Sequence, residues 1–385
     1  MKYYGYYADE ENISNIKCTL SAVNKLNYIF SALNKVGIDV EVISAGSALN
    51  GKKKAEKKQL SKNISVKYFS SKFSERQFVR VIRRIIFNFK LLNWSLKNIK
   101  KKETIIVYHS LAYMWLFKIL KKKKDINMIL EMEEIYGDVL ENDKIIGKEL
   151  SYAKLADGYI FPTEQLNKKI NVENKPYVII HGTYQAEEKR ISKKEYRRQH
   201  GWAENKTHVV YAGTLDPLKG GAIAAVNTSN FLTDDYHIHI LGFGTNIDIN
   251  NILEIANNLS EKNSCRVSYD GVLSGDEYLQ FIQACDIGLS TQNPYAKFNA
   301  SSFPSKILSY MANGLKVVSV RIPVVETSAI GKHVFYYNEQ LPQYIADAIK
   351  SVRNYDYKDS REIIKSLDTK FTKEIYSMII NISKI

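Results

Sequence analysis

The sequence predicts two doubly wound α/β domains in one chain. Short apolar runs bounded by turn residues alternate with amphipathic segments, the pattern of strands and crossover helices in parallel sheets. The alternation is interrupted by a polar stretch from Gln185 to Gln199 and then restarts. With 385 residues the chain can bury two cores. The boundary is set there, giving domains at 1–184 and 185–368.

In the first half, Lys2–Tyr7 reads as a strand and Ala8–Asn15 as a polar loop. Cys18–Val36 reads as a helix with Leu20, Val23, Leu26, Ile29, Phe30 and Leu33 on its buried side. Gly37 closes it and Asp39–Ser44 is the next strand, but the first turn has no GxGxxG, so a dinucleotide site at this end is poorly supported. Gly51–Ser61 reads as a mobile lysine-rich loop. Ser74–Lys100 follows as a long helix on which Phe78, Val81, Ile82, Ile85, Phe89, Leu92 and Leu96 are interleaved with arginine and lysine. Two readings suit it: a packing helix with a solvated basic face, which the pattern favours, and an interfacial helix resting on anionic lipid. Thr104–Tyr108 is a buried strand ending at His109, and Asn127–Met132 another, ending at Glu133 and Glu134. Ligands of open α/β sheets gather beyond the carboxyl ends of strands. His109, Glu133 and Glu134 are therefore the ionisable candidates of this half. Gly158–Pro162 and Tyr177–Ile180 complete it.

In the second half, the strand Thr207–Leu215 runs into Gly213-Thr214 and Lys219-Gly220. Tyr236–Leu241 is followed by Gly242-Phe243-Gly244, and Arg266–Tyr269 by Asp270-Gly271-Val272-Leu273. Asp286–Ser290 is a strand followed by the polar loop Thr291–Ser302. Next comes Phe303–Val318, with Pro304 in a first helical turn, Ile307, Leu308 and Met311 on one apolar face, Gly314 as terminator and a strand at Lys316–Val320. Ser302, Phe303, Ser305 and Lys306 fall where free N–H groups face an anion. His333–Tyr337, a helix Leu341–Val352 and a terminal helix Lys373–Ile382 close the chain.

Hydrophobic content of 45% and charged content of 25% are those of a globular protein, and no apolar run is long enough to span a bilayer. The N-terminus lacks a signal-peptide pattern, so a cytoplasmic location is expected. Cys18, Cys265 and Cys285 show no metal or redox spacing and read as reduced thiols. The net charge of +14 points to an anionic partner, and residues 52–102 carry only Glu56 and Glu75 against many cations. Nucleic acid is weighed because of the 26 tyrosines, but no RNP-like, KH or zinc-finger signature is present.

The ordered set Gly213-Thr214, Lys219-Gly220, Gly242-Phe243-Gly244, Asp270-Gly271-Val272 and Phe303–Gly314 resembles the C-terminal half of a retaining GT-B glycosyltransferase of family 4. Lys370–Tyr376 resembles that family's closing helix, which crosses back to the first domain, so 369–385 is assigned to a helix packing there. His109 resembles the family's first-domain histidine. The resemblance implies a GT-B fold, two Rossmann-like domains facing a cleft. It implies transfer of a sugar, with retention, from a nucleotide-diphosphate sugar (a UDP-sugar foremost) to a saccharide or lipid-linked acceptor, in capsule, exopolysaccharide or glycoconjugate synthesis.

The roles implied are specific. His109, Glu133 and Lys219 are catalytic, with Lys219 on the diphosphate and Glu133 as acceptor-side base or hydroxyl ligand. Gly213, Thr214, Gly242, Gly244, Val272, Leu273, Ser302, Phe303, Pro304, Ser305, Lys306 and Ser309 hold the donor. No metal or other cofactor is expected. Departures from the family pattern are Ser309 and Ser301 in place of its two glutamates, Thr214 in place of its arginine, and Glu133 where many members have histidine. The partners implied are the donor, the acceptor and an anionic membrane surface met through residues 52–102. The alternative is a catalytically weak GT-B subunit that binds a partner or a saccharide.

Overall fold

The computed structural model describes residues 1–216, 221–262, 265–295, 299, 302–353 and 359–384. Lys219 and Ser301 lie outside the described residues. The chain forms two compact units, residues 1–183 with 368–385, and residues 184–367.

The first unit contains β1 (Lys2–Gly5), β2 (Val40–Ser44), β3 (Lys52–Lys53), β4 (Glu56–Ser61), β5 (Ile64–Tyr68), β6 (Ser71–Lys72), β7 (Thr104–Tyr108), β8 (Asn127–Glu131), β9 (Gly158–Phe161) and β10 (Tyr177–Ile179). Its main sheet has the order β10-β9-β8-β7-β1-β2-β5-β4, and β3 pairs with β6 separately. Every pairing in the main sheet is parallel except β4 with β5. Helices cover both faces of such a sheet, so its central strands are apolar throughout. Ile105, Ile106 and Val107 of β7 are fully buried, as are Met128, Ile129 and Leu130 of β8. Sequence order reverses between β1 and β7, which makes their carboxyl ends a topological switch point.

The second unit contains β11 (Thr207–Thr214), β12 (Tyr236–Phe243), β13 (Arg266–Gly271), β14 (Ile287–Ser290), β15 (Lys316–Val320) and β16 (Phe335–Tyr337). Their order is β13-β12-β11-β14-β15-β16 and every pairing is parallel. Here the switch point falls between β11 and β14. The helix Lys306–Ala312 enters beside it, with Ile307, Leu308 and Met311 buried as their spacing requires. Gly314 follows at φ +84° and carries the turn into β15.

Several elements differ from the sequence reading. The supposed mobile loop 51–61 is instead strand: β4 lies antiparallel on β5 at the sheet edge. Its lysines are held by carboxylates, Lys57 by Glu41 at 2.8 Å and Lys58 by Asp9 at 2.6 Å. Lysine on an edge strand also discourages pairing with other chains. The basic helix is Gln77–Asn98, and only part of it packs as the favoured reading expected: Phe87, Leu91 and Leu92 are buried. Phe78, Val81, Ile82, Ile85, Ile86 and Phe89 are exposed, Phe78 by 76%.

The terminal helix is longer than expected, Ser360–Ser383. It belongs to the second unit through Leu367 and to the first from Asp368. In the second unit Ser360 Oγ donates to Met311 O at 2.8 Å. In the first, Ser383 and Thr104 hydroxyls pair at 2.8 Å, and Tyr28 donates to Asp368 at 2.9 Å.

The polar stretch after Thr183 is tied down by one carboxylate. Asp286, just before β14, accepts from Lys193 Nζ at 3.0 Å, Arg197 Nη2 at 2.7 Å and His208 N at 2.9 Å. Burial alone would raise the Asp286 pKa, but Lys193, Arg197 and the His208 amide hold it below the usual carboxylate value. A depressed folded pKa gives stability that is present above the unfolded value near 3.8 and is lost as pH falls through the folded one. Asp286→Asn is therefore expected to cost about 2 kcal/mol at pH 7. In urea titrations that difference should shrink steadily below about pH 4.

Gly242 tests the backbone. It sits at φ +150°, and a β-carbon there would overlap the Gly213 carbonyl oxygen. Gly37 has φ +78° with nothing within 4 Å of an added β-carbon. Gly37→Ala should cost about 1 kcal/mol of unfolding free energy. Gly242→Ala should cost about 3 kcal/mol or prevent folding.

Candidate functional site

Both switch points carry unusual groups. In the second unit β11 and β12 run side by side to their ends, where Gly213 pairs with Gly242 and Thr214 with Phe243. The absence of a side chain at Gly213 is used at once: a β-carbon would collide with the amine end of Lys306. That amine lies 3.9 Å from the centre of the Tyr211 ring, a cation–π contact. Gly213, Thr214 and Lys306, predicted donor-site residues from two distant stretches, are thus neighbours.

Tyr310 explains how the helix Lys306–Ala312 comes to this place. Its ring lies against Gly288 of β14, where a side chain would collide with it. Its hydroxyl accepts from Ala212 N at 2.8 Å, joining helix and β11. Thr291, following β14, donates to Gly221 O at 2.7 Å and ties the start of the helix Gly221–Asn227 to the end of β14. Tyr211, Thr291 and Tyr310 escaped the sequence reading because their role depends on contacts between strands far apart in the chain.

The other donor-site candidates are less concentrated. Gly244 allows close approach of Leu215 and Asp248, whose side-chain carbons lie 3.0 and 2.9 Å from where a β-carbon would be. Val272 is 65% exposed and Leu273 half-buried, both in the loop after β13. Ser302 and Ser305 are exposed, Pro304 is half-buried and Phe303 is buried. Ser305 is the N-cap residue and Pro304 precedes it; the helix has only seven residues, so its dipole adds little to the cation on Lys306. Ser309 is half-buried and hydrogen-bonds with Tyr278.

In the first unit His109 follows β7 and is 2% exposed. Its ring stacks on Tyr136 with centroids 5.0 Å apart. Nε2 stands 3.3 Å from Glu149 Oε1 without hydrogen-bond alignment, so both ring nitrogens are buried and unsatisfied. Glu149 accepts instead from the amides of Tyr136 at 2.9 Å and Gly137 at 2.7 Å. Burial pushes the His109 pKa down to about 4 and raises that of Glu149. The Tyr152 hydroxyl and Glu131 Oε1 are also buried without partners. Such orphaned polar atoms are rare in cores and mark places where a ligand can complete the bonding.

Glu133 forms an ion pair with Lys25 and so is not isolated. Glu131, fully buried and hydrogen-bonded by Tyr3, has its pKa raised well above the carboxylate range by burial and by Glu133. Burial and Glu133 also raise that of Glu134. Glu131 therefore keeps its proton at neutral pH, while Glu133 is paired with Lys25. The sequence reading chose Glu133 and Glu134 and missed Glu131, whose place inside β8 suggested an ordinary core position.

A further polar cluster lies in the amino-terminal halves of β11 and β12. His208, His237 and His239 bring ligand atoms within 4.8 Å of one another. Their spacing on paired strands could have revealed it, since His208 pairs with His237 and His239 lies two residues on. The rings are already engaged: His208 Nδ1 lies 3.0 Å from His239 Nε2, His239 Nδ1 3.1 Å from Asp270, and His237 Nε2 3.0 Å from Ser268. Trp202 stacks on His239 at 4.1 Å. This cluster is at the other end of the sheet from Gly213, Gly242 and Lys306.

No protein-family model matches the chain, and no curated protein matches it in sequence. Solved structures do match over the whole chain. One is described as trehalose-6-phosphate from E. coli bound with UDP-2-fluoro glucose: TM-score 0.65, 12% identity, covering 100% of this chain and 99% of that one. Sucrose-phosphate synthase from Thermosynechococcus elongatus gives 0.61 and 13%, with 100% and 97% covered. Anabaena HepE in complex with UDP and glucose gives 0.62 and 12%, with 100% and 98% covered. The likeness is one of architecture, and the fold is GT-B, with two Rossmann-like units.

Proposed function

We propose that this chain is a glycosyltransferase that takes its sugar from a nucleotide-diphosphate sugar, a UDP-sugar foremost. The carrying observation is the second unit's switch point, where Gly213, Thr214, Gly242 and the Lys306 cation meet. A diphosphate is compact and doubly charged. It needs close backbone approach, which glycines permit, and cations to stabilise it as a leaving group. Lys306 supplies one cation, and Lys219, by the family resemblance, a second. The neighbours of known structure support the donor class, since two are described with UDP or a UDP-sugar.

The first unit serves the acceptor in this reading. Unsatisfied His109 nitrogens suit a sugar hydroxyl, and Glu133, paired with Lys25, can accept a proton or bind hydroxyls. Retention, family 4 membership, a metal-independent reaction, and a saccharide or lipid-linked acceptor in polysaccharide synthesis at the cytoplasmic membrane face belong to the same proposal. No helix among the described residues is long and apolar enough to cross a membrane. A catalytically weak binding subunit is the second reading. It draws support from Ser309, which is engaged with Tyr278 and has no carboxylate for a ribose.

Calorimetry with UDP, GDP, ADP and CMP, first without metal and then with magnesium, separates the two. The transferase reading expects metal-free binding of one diphosphate and loss of about a hundredfold or more in turnover for Lys219→Ala. Binding of none would favour the weak subunit.

The pH profile tests His109. With its pKa near 4 instead of 6.5, the ring is neutral at physiological pH. Activity that depends on it should stay flat down to about pH 5 and fall only towards 4. An acid limb near 6.5 that disappears in His109→Asn would show that the ring titrates at its ordinary value and is not shifted by burial.

A further inference from the structure

Beyond the carboxyl ends of β1, β2, β5 and β7 the first unit opens into a cavity of about 590 Å³. Tyr6, Ala45, Ser70 and Ala112, each close after one of those strands, form part of its wall. Its charge is one-sided. Lys17, Lys52, Lys72, Arg80 and Arg84 line it, and its described lining contains no Asp or Glu. None of these five has a carboxylate ion-pair partner among the described residues, whereas nearby Lys53, Lys57 and Lys58 do, in Glu56, Glu41 and Asp9. Arg83 and Lys90 also line it, and they turn to backbone carbonyls, at Phe73 and Ser70. All five are exposed, so water screens their mutual repulsion, and an anion of more than one charge entering the concavity would be attracted by several of them at once.

A second observation restricts the anion. The cavity wall includes Val81 and Ile86, which belong to the exposed apolar face of the helix Gln77–Asn98. That face continues along Phe78, Ile82, Ile85 and Phe89, exposed by 76, 41, 51 and 58%. The apolar surface therefore runs from the cavity's edge outward over several turns. An inorganic ion or a nucleic acid would satisfy the cations and leave these side chains in water. A molecule with a phosphate head and a long apolar tail satisfies both.

We infer that the cavity is a headgroup site for a lipid monophosphate or diphosphate, with the face Phe78–Phe89 resting in the membrane that holds it. Taking this lipid as the carrier of the glycosyl acceptor rests on the transferase reading; the site itself does not. Arginine and lysine suit phosphate oxygens, and the apolar face adds membrane affinity that a polybasic patch alone would not supply.

Vesicle co-sedimentation of the full chain tests this. Three vesicles are needed: phosphatidylcholine alone, phosphatidylcholine with phosphatidylglycerol, and phosphatidylcholine with a long-chain polyprenyl phosphate at equal surface charge. The chain should bind the polyprenyl phosphate vesicles about tenfold or more tightly than the equally charged phosphatidylglycerol ones. Lys52→Ala/Arg80→Ala/Arg84→Ala should erase that preference. Phe78→Ser/Ile82→Ser/Phe89→Ser should weaken binding to all three vesicles while leaving calorimetric binding of inorganic pyrophosphate unchanged. Circular dichroism melts establish that both variants fold.

Equal binding to the two anionic vesicles would overturn the inference and leave only general membrane electrostatics. A preference that survives the cavity variant would overturn it too, as would short oligonucleotides that displace the lipid at physiological salt. Binding of UDP, GDP, ADP and CMP, followed on the same samples, reports on the transferase reading alone. Binding of none would sink that reading, and the lipid result would stand independently.

Discussion

The approach of two glycines, Gly213 and Gly242, governs the second unit. Their strands are in register to the last residue, and the Gly242 backbone meets the Gly213 carbonyl with no room for a side chain. This closeness draws the carboxyl ends of β11 and β12 together. Gly213, lacking a side chain, also lets the end of the Lys306 side chain lie against it. Tyr310 then fixes the helix from which Lys306 projects, by packing on Gly288 and accepting from Ala212. One packing constraint at the sheet thus sets where a cation stands.

The first unit works by a different economy. Its sheet ends in buried polar atoms lacking partners, at His109, Glu131 and Tyr152, and in carboxyl groups whose protons are redistributed by burial. Neutral imidazole at His109 and a protonated Glu131 coexist at two adjacent strand ends. That arrangement distinguishes hydrogen-bond donors from acceptors at neutral pH without relying on any group near its ordinary pKa. Polar hydroxyl-rich ligands are read by such patterns, because leaving a buried polar group unpaired costs more than pairing it gains.

The sequence revealed what depends on local order. Apolar runs such as Thr104–Tyr108 and Lys316–Val320 announced parallel strands, and Gly314 announced a helix end. It concealed β4, whose Glu56-Lys57-Lys58 looks like solvated loop until the partners Glu41 and Asp9 are seen. Helical periodicity placed Phe78 through Phe89 on apolar positions but could not say whether a neighbour covered them. Glu131 and Glu149 were missed for a related reason: what makes each unusual is contributed by residues on other elements, Tyr3 for one and His109 for the other. Lys306 was legible as the end of the Ser302–Lys306 turn, expected to offer backbone N–H groups, whereas the place of its amine beside Gly213 and Tyr211 depends on a distant strand.

The helix Ser360–Ser383 has a consequence for how the chain is made. Gly158 of β9 is packed by Ile382 and Met378, and Asn127 of β8 donates to Ile382 O at 3.1 Å. These contacts complete the first unit's sheet, yet residues 368–383 leave the ribosome only after all of 184–367. The unit that emerges first is therefore finished last, and until then part of the surface around β8 and β9 stays open to water. Nascent chains of this topology pass through a period when one lobe can close and the other waits, the interval in which chaperones and proteases compete for a growing polypeptide.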